Sequence, residues 1–134
     1  NRLHPGDGPL DFWAGSWARL QDVERAERYF NDGITRDCAR VRDSASQQNC
    51  TAWYHALVQK KLGEAHDLVS SALDEQPNRA EYLDTLAIVL EAQGKSSAAR
   101  EAAWKAASQV PDDVYLVTQA LRLQAQLTPG VERR

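Results

Sequence analysis

The two cysteines, Cys38 and Cys50, are the residues best placed for covalent chemistry in this 134-residue chain. The connection between them centres on Ser44, and an antiparallel helix pair brings residues equally far from such a connection into register. A disulfide is then expected if the two Cα atoms approach within ~7 Å. It would indicate an oxidising compartment, such as the bacterial periplasm or the cell exterior. The alternative is two reduced, half-buried thiols, with a cytoplasmic location.

The histidines, serines and glycines form no recognisable catalytic or ligand motif. His4 lies in a segment rich in turn residues, while His55 and His66 fall on different predicted helices, where an ordinary structural histidine is the commoner outcome. The pair Ser96-Ser97 is better interpreted as a helix start than as a nucleophile. The scattered glycines do not make a phosphate-binding loop. We therefore expect no enzyme activity, no cofactor and no metal site.

Composition and charge limit the classes of partner. Hydrophobic residues make up 43% of the chain and charged residues 26%, as in soluble globular domains. The net charge of -3 disfavours nucleic acid, because a nucleic-acid module needs a basic patch to neutralise phosphates. No apolar run approaches the ~20 residues that span a bilayer, so membrane insertion by this segment is not expected. Because methionine is absent and the chain begins at Asn1, we expect a processed or excised piece.

The elements that must position these residues repeat along the chain. Pro77 and Pro111 lie 34 residues apart, and each follows a helical run, a period typical of helix-turn-helix repeats. Residues 80–113 form the clearest unit. Gly94 marks its turn, and its second helix is predicted to begin at Ser96 or Ser97. The first helix has apolar residues at helical spacing, namely Leu83, Leu86, Ala87 and Leu90.

This unit resembles the tetratricopeptide repeat family. Leu86-Ala87 matches the family's Leu-Gly pair, Ala99 and Ala106 match its small positions, and Pro111 closes the unit. The small residues have a physical reason, since Ala87 should face Ala99 and let the two helices approach closely. The resemblance implies an all-α superhelix of about three helix-turn-helix repeats, in a bacterial member of the family.

The rest of the chain matches the pattern more loosely. The whole chain, residues 1–134, is interpreted as one domain. The expected repeats are residues 7–40, 46–79 and 80–113, followed by a capping helix over residues 114–127 that covers the apolar face of the last repeat. A plain helical bundle is the alternative, since amphipathic helices joined by short turns also form bundles.

The first helix of the middle repeat is compatible with two registers. An uninterrupted 34-residue count places Trp53 where a small residue is needed. Aligning Gly63 with the turn glycine places Ala56 there instead. We prefer the second register, which predicts a shortened turn and a balancing insertion around residues 41–48.

The resemblance also implies a function. In the family, the first helices line a concave groove that holds an extended peptide or a partner helix, so a protein-interaction or scaffolding module is expected. Several members hold the C-terminal carboxylate of a chaperone with Lys and Asn, and those residues are missing here. The partner should carry at least one basic group, because the groove is mainly acidic. The groove positions are Asp11, Arg19, Glu81, Asp84, Ile88, Glu91, Tyr115 and Arg122.

Two alternatives accompany this prediction. The chain could be the accessory repeat domain of a larger enzyme or membrane protein whose catalytic part lies elsewhere. Binding could also use the convex side around Trp104, which lies among polar residues of a second helix and would mark a contact surface if exposed. A homo-oligomer is compatible with either.

Overall fold

The computed structural model describes residues 23–41 and 43–126, and this part of the chain is entirely helical, which confirms the all-α prediction. The predicted first helix of residues 7–40, with Asp11 and Arg19, lies outside the described residues. The elements are α1 (Val23–Asp37), a 3₁₀ turn (Cys38–Arg40), α2 (Ser44–Val58), α3 (Leu62–Glu75), α4 (Ala80–Ala92), α5 (Ser96–Gln109) and α6 (Val114–Gln126).

The helix boundaries follow the 34-residue period of the sequence. α3 begins at Leu62 and α5 at Ser96, while α4 begins at Ala80 and α6 at Val114. Each helix packs against the next one in sequence, and α2 also packs against α4. The described chain is therefore repeat-like, with the hairpin α2–α3 stacked on the hairpin α4–α5 and α6 placed after them.

Small residues let α4 and α5 approach closely. Ala87 and Ala99 are both 0% exposed and share one core cluster, and Ala106 is 1% exposed, so their predicted burial is confirmed. Gly94 has a φ of +80° and ends α4 in the left-handed region, which a residue with a Cβ adopts at a cost of about 1–2 kcal/mol. The next amide, that of Lys95, then donates to the Leu90 carbonyl at 2.9 Å.

The turn between α2 and α3 differs from the prediction. It occupies the positions between Val58 and Leu62, as many as separate α4 from α5, so it is not shortened. Gln59 and Lys61 adopt left-handed conformations there, with φ values of 58° and 54°. Gly63 lies inside α3 and is not the turn glycine. The predicted position of the turn was wrong because Gln59 and Lys61 adopt a conformation that usually favours glycine, so no glycine marks this turn in the sequence.

The side chains of α2 nevertheless face the neighbours that the preferred register requires. Ala56 is 2% exposed and shares a cluster with Ala65 and Val69 of α3. Trp53 packs in a different cluster, with Cys38 and other side chains of α2. A small residue, Ala56, therefore packs against α3.

The connection between α1 and α2, residues 38–43, is two residues longer than the four-residue connections before α4 and before α6, in agreement with the predicted insertion around residues 41–48. α2 begins within that span, at Ser44. Asp43 is its N-cap and accepts a hydrogen bond from the Ser46 amide at 2.8 Å. Asp113 does the same for α6, accepting from the Leu116 amide at 3.2 Å. These caps satisfy amides that have no partner within the first turn of a helix.

Candidate functional site

The sulfur atoms of Cys38 and Cys50 lie at disulfide distance, 2.04 Å apart, with a Cα–Cα distance of 5.4 Å. The predicted approach of the two residues is therefore confirmed. Both cysteines are buried, and the pair joins the 3₁₀ turn that follows α1 to the middle of α2. This link fixes the end of α1 against the hairpin α2–α3.

A hydrogen-bonded contact beside the cysteines also joins α1 to α2. The buried Tyr54 hydroxyl donates to Oδ2 of Asp37 at 3.0 Å. The Arg36 guanidinium donates to both oxygens of the same carboxylate, at 2.8 and 2.7 Å. Arg36 holds the pKa of Asp37 below its ordinary value, partial burial opposes that shift, and Tyr54 adds to it. The carboxylate therefore stays ionised at neutral pH.

The predicted groove residues of α4 and α6 converge around one ion pair. Arg122 donates to both carboxylate oxygens of Glu91, from Nη1 at 2.6 Å and from Nη2 at 2.9 Å. The hydrogen bonds to Glu91 raise the pKa of Arg122, burial opposes this, and the charges of Glu91, Tyr115 and Asp84 add to it. The side chains of Glu91 and Arg122 remain 30% and 39% exposed, so the pair can still contact a ligand.

Tyr115 and Ile88 supply the apolar surface of this face. Tyr115 is half-buried, and its hydroxyl accepts a hydrogen bond from Nε2 of Gln119 at 3.4 Å. Ile88 is half-buried and packs against two core clusters. We call this region the α4–α6 face and define it by Glu81, Ile88, Glu91, Tyr115 and Arg122.

Asp84 corrects the predicted groove. It is 1% exposed and cannot serve as a surface carboxylate. The reason is that α4 is packed by α2, α3 and α5 and bridged to α6, which leaves only a narrow exposed strip. Glu81, at the first turn of α4, is also largely covered, with 19% of its side chain exposed, and it pairs with Arg79 at 3.2 Å.

A second surface lies between α3 and α5, on the convex side that the sequence offers as the alternative binding surface around Trp104. A groove of about 700 Å³ opens there, with charged side chains of Asp74, Glu101 and Lys105 among its lining residues. Beside it lies a smaller groove of about 460 Å³ lined partly by Trp104, which is 39% exposed. The sequence indicates Trp104 as a contact residue if it is exposed. It does not indicate the groove, because the groove's apolar wall combines side chains of three helices. That wall comprises Leu73, Leu83, Leu86, Leu90, Ala98 and Ala102.

The histidines contribute no metal site to the described chain. His55 is 6% exposed, and its Nε2 lies 3.9 Å from Oε2 of Glu64. Burial lowers the pKa of His55, and the nearby Glu64 opposes that shift. Across residues 23–41 and 43–126, no group of three or more His, Cys, Asp or Glu side chains could hold a metal ion.

Comparisons with protein-family models, with curated proteins and with solved structures found no match to this chain. Among the helices of the described residues, none is long and apolar enough to cross a membrane. The function is therefore argued from the geometry of the two surfaces.

Proposed function

We propose that the chain is a tetratricopeptide-like repeat domain that binds a peptide or a partner protein and serves as a scaffolding module. The recurrence of helix starts at 34-residue intervals and the buried alanines at the α4–α5 crossing support this proposal. In such a superhelix, α2, α4 and α6 line the concave side, and α3 and α5 form the convex side. The domain binds without catalysing and needs no cofactor.

The observation that carries the binding proposal is the ion pair between Glu91 and Arg122, with Tyr115 beside it on the α4–α6 face. The two charges hold each other in place, so a ligand does not have to order them on binding. Both keep exposed edges for further hydrogen bonds. Tyr115 and Ile88 offer apolar contact to alternate side chains of an extended peptide. The partner carries a basic group that approaches the exposed edge of Glu91.

Selection from a phage-displayed peptide library on the immobilised chain tests this proposal. We expect the enriched peptides to contain Lys or Arg and to bind more weakly as salt rises, because screening weakens exposed charge contacts. The decisive variant combines Glu91→Arg with Arg122→Glu, which keeps the ion pair but exchanges its two ends. Binding of the selected peptides should fall at least about tenfold, while the melting temperature stays close to that of the wild type.

The surface between α3 and α5 is the second candidate, favoured by its apolar wall and by the exposed Trp104. If it binds the peptides, Trp104→Ala will abolish binding and the exchange of Glu91 and Arg122 will leave affinity and salt dependence unchanged. That result would refute the α4–α6 face as the binding surface. Failure of both variants to alter binding would place the site on neither surface.

We further propose that the domain works in an oxidising compartment, such as the bacterial periplasm or the cell exterior. The disulfide distance between Cys38 and Cys50 supports this location. Intact mass after alkylation, with and without a reductant, is the test. The expected result is alkylation of both thiols only after reduction, whereas two thiols alkylated in the unreduced protein would contradict the proposal.

A further inference from the structure

Three residues of the α4–α6 face are joined to Gln119 by one continuous network of hydrogen bonds. The Arg122 guanidinium donates from Nη1 and Nη2 to both oxygens of Glu91, at 2.6 and 2.9 Å, and from Nε to Oε1 of Gln119 at 3.0 Å. Gln119 in turn donates from Nε2 to the Tyr115 hydroxyl at 3.4 Å. The orientation of Arg122 is therefore fixed by side chains of two helices, α4 and α6.

The carboxylate, the guanidinium and the amide of this network are all planar groups. A guanidinium that donates two parallel hydrogen bonds to one carboxylate lies close to the plane of that carboxylate. A donor bound to an amide oxygen also prefers a position near the plane of the C=O group. Because the N–H groups of a guanidinium all lie in its own plane, Glu91, Arg122 and Gln119 form a nearly flat surface. We call these three side chains the α4–α6 platform.

The edge of the Arg122 guanidinium is poorly suited to hold an anion of a ligand. Three of its five N–H groups are bonded within the network, and the Glu91 carboxylate already balances its charge. A bidentate pair needs two adjacent N–H groups, and every adjacent pair includes one that is bound to Glu91 or Gln119. The side chain is nevertheless 39% exposed. Stacking on the face of the guanidinium is the extended contact that leaves all three bonds intact.

An aromatic ring is the side chain that gains most from such a face. A guanidinium attracts an aromatic ring that lies parallel to it, through both its charge and its flat shape. Because Arg122 is held in place before the ligand arrives, little side-chain freedom is lost on stacking. Apolar surface lies next to the platform, since Ile88 is one turn before Glu91 on α4 and Tyr115 is two turns before Arg122 on α6.

We propose that the α4–α6 platform binds an aromatic side chain of the partner, which stacks on the guanidinium of Arg122. The inference rests on the proposed function, because the aromatic residue belongs to the peptide that the α4–α6 face binds. The basic group of that peptide approaches the exposed edge of Glu91, and the ring lies on the neighbouring guanidinium. The partner is therefore a peptide in which a basic residue and an aromatic residue lie close together.

Nuclear magnetic resonance with a free aromatic amide tests the platform without any peptide. N-acetyl-tryptophan amide is added to the isotope-labelled chain up to about 50 mM, because one stacking contact gives millimolar or weaker affinity. A ring on the guanidinium face should move the Nε–H resonance of Arg122 upfield through its ring current. N-acetyl-leucine amide should leave this resonance nearly unmoved. The Arg122→Lys variant identifies the resonance by its absence.

Arg36 is the matched control within the same molecule. Its guanidinium is also paired with one carboxylate, that of Asp37, at 2.8 and 2.7 Å, and its side chain is 46% exposed. Because it lies at the end of α1, outside the α4–α6 face, its Nε–H resonance should move much less than that of Arg122. Equal movement of both resonances would overturn the proposal, since the amide would then stack on any paired arginine. An Arg122 resonance that does not move, or that moves equally with the leucine amide, would also overturn it.

The peptides selected on the immobilised chain give a second test, by a double-mutant cycle. Replacing the aromatic residue of a peptide with leucine should weaken its binding to the wild type about three- to tenfold. The same replacement should hardly change binding to Arg122→Lys, which keeps the charge but has no planar face.

The outcomes of the two tests separate the platform from the proposed function. Enriched peptides without an aromatic residue, or an equal loss of affinity in both proteins, would contradict the platform. The proposed function still stands in that case if the exchange of Glu91 and Arg122 lowers the affinity. If no peptide is enriched, the proposed function fails, and the amide titration alone decides whether the platform binds an aromatic ring.

Discussion

At the scale of single residues, one contact between a glycine and a large aromatic ring limits which side chains the fold tolerates at the position of that glycine. Gly33 of α1 lies against the buried ring of Tyr54, where a Cβ at position 33 would be 3.0 Å from two ring carbons. That ring cannot easily move, because its hydroxyl is bound to Asp37. The sequence alone does not reveal that Tyr54 is the neighbour that requires a small residue at position 33.

The substitution Gly33→Ala should therefore destabilise the chain by about 1–3 kcal/mol through overpacking, in spite of the better helix propensity of alanine. Gly63→Ala is the control, since a Cβ at Gly63 would meet nothing within 4 Å. It should stabilise α3 by up to about 1 kcal/mol. Urea denaturation of both variants measures the difference. Equal stabilisation by both would show that Tyr54 moves aside without cost.

A second prediction at this scale concerns His55, whose burial lowers its pKa. The unfolded chain then takes up this proton at a higher pH than the folded chain does. Stability is present above the ordinary histidine pKa of about 6.5 and is lost as pH falls below it. His55→Phe should reduce the slope of unfolding free energy between about pH 7 and pH 5. An unchanged slope in this variant would assign the acid sensitivity to other groups.

At the scale of the elements, the sequence predicted helices well and turns less well. The hairpin α4–α5 could be predicted because a proline, a turn glycine and spaced alanines all indicate the same register. The turn before α3 could not, because Gln59 and Lys61 adopt left-handed conformations without any glycine to mark it. The exposure of the α4 strip was also misjudged, because helical periodicity shows which residues share a side but not how many neighbours cover it.

The helix crossing gives the prediction that belongs to this scale. Ala99 is 0% exposed at the contact with α4, whereas Ala98, one position earlier, is exposed on the groove side of α5. Ala99→Leu should cost about 1–3 kcal/mol, because the added atoms force α4 and α5 apart. Ala98→Leu should have a much smaller effect. Thermal unfolding followed by circular dichroism compares them, and equal midpoints would contradict the close crossing.

At the scale of the whole molecule, contacts run mainly between neighbouring elements. α1 packs against the 3₁₀ turn and α2, while α5 packs against α4 and α6. In such a chain, stability is approximately the sum of each unit and its interfaces with the next, so a local change need not spread. The surfaces on α5 and α6 are therefore separated energetically from the cysteine pair, whereas α4 contacts α2 and carries Ile88, which packs against the cluster that contains both cysteines.

Reduction of the cysteine pair tests this separation. Cys38 and Cys50 close a short loop, and a cross-link of this length stabilises a fold by about 3 kcal/mol in the chain-entropy model. That stabilisation acts on α1 and α2, so reduction should raise amide hydrogen exchange there and leave exchange in α5 and α6 nearly unchanged. The variant with Cys38→Ser and Cys50→Ser should behave like the reduced chain without any reductant present. If exchange in α5 and α6 instead rises as much as in α1, the described helices unfold as one cooperative unit. The stability of the chain would then not be a sum over repeat-like units and their interfaces.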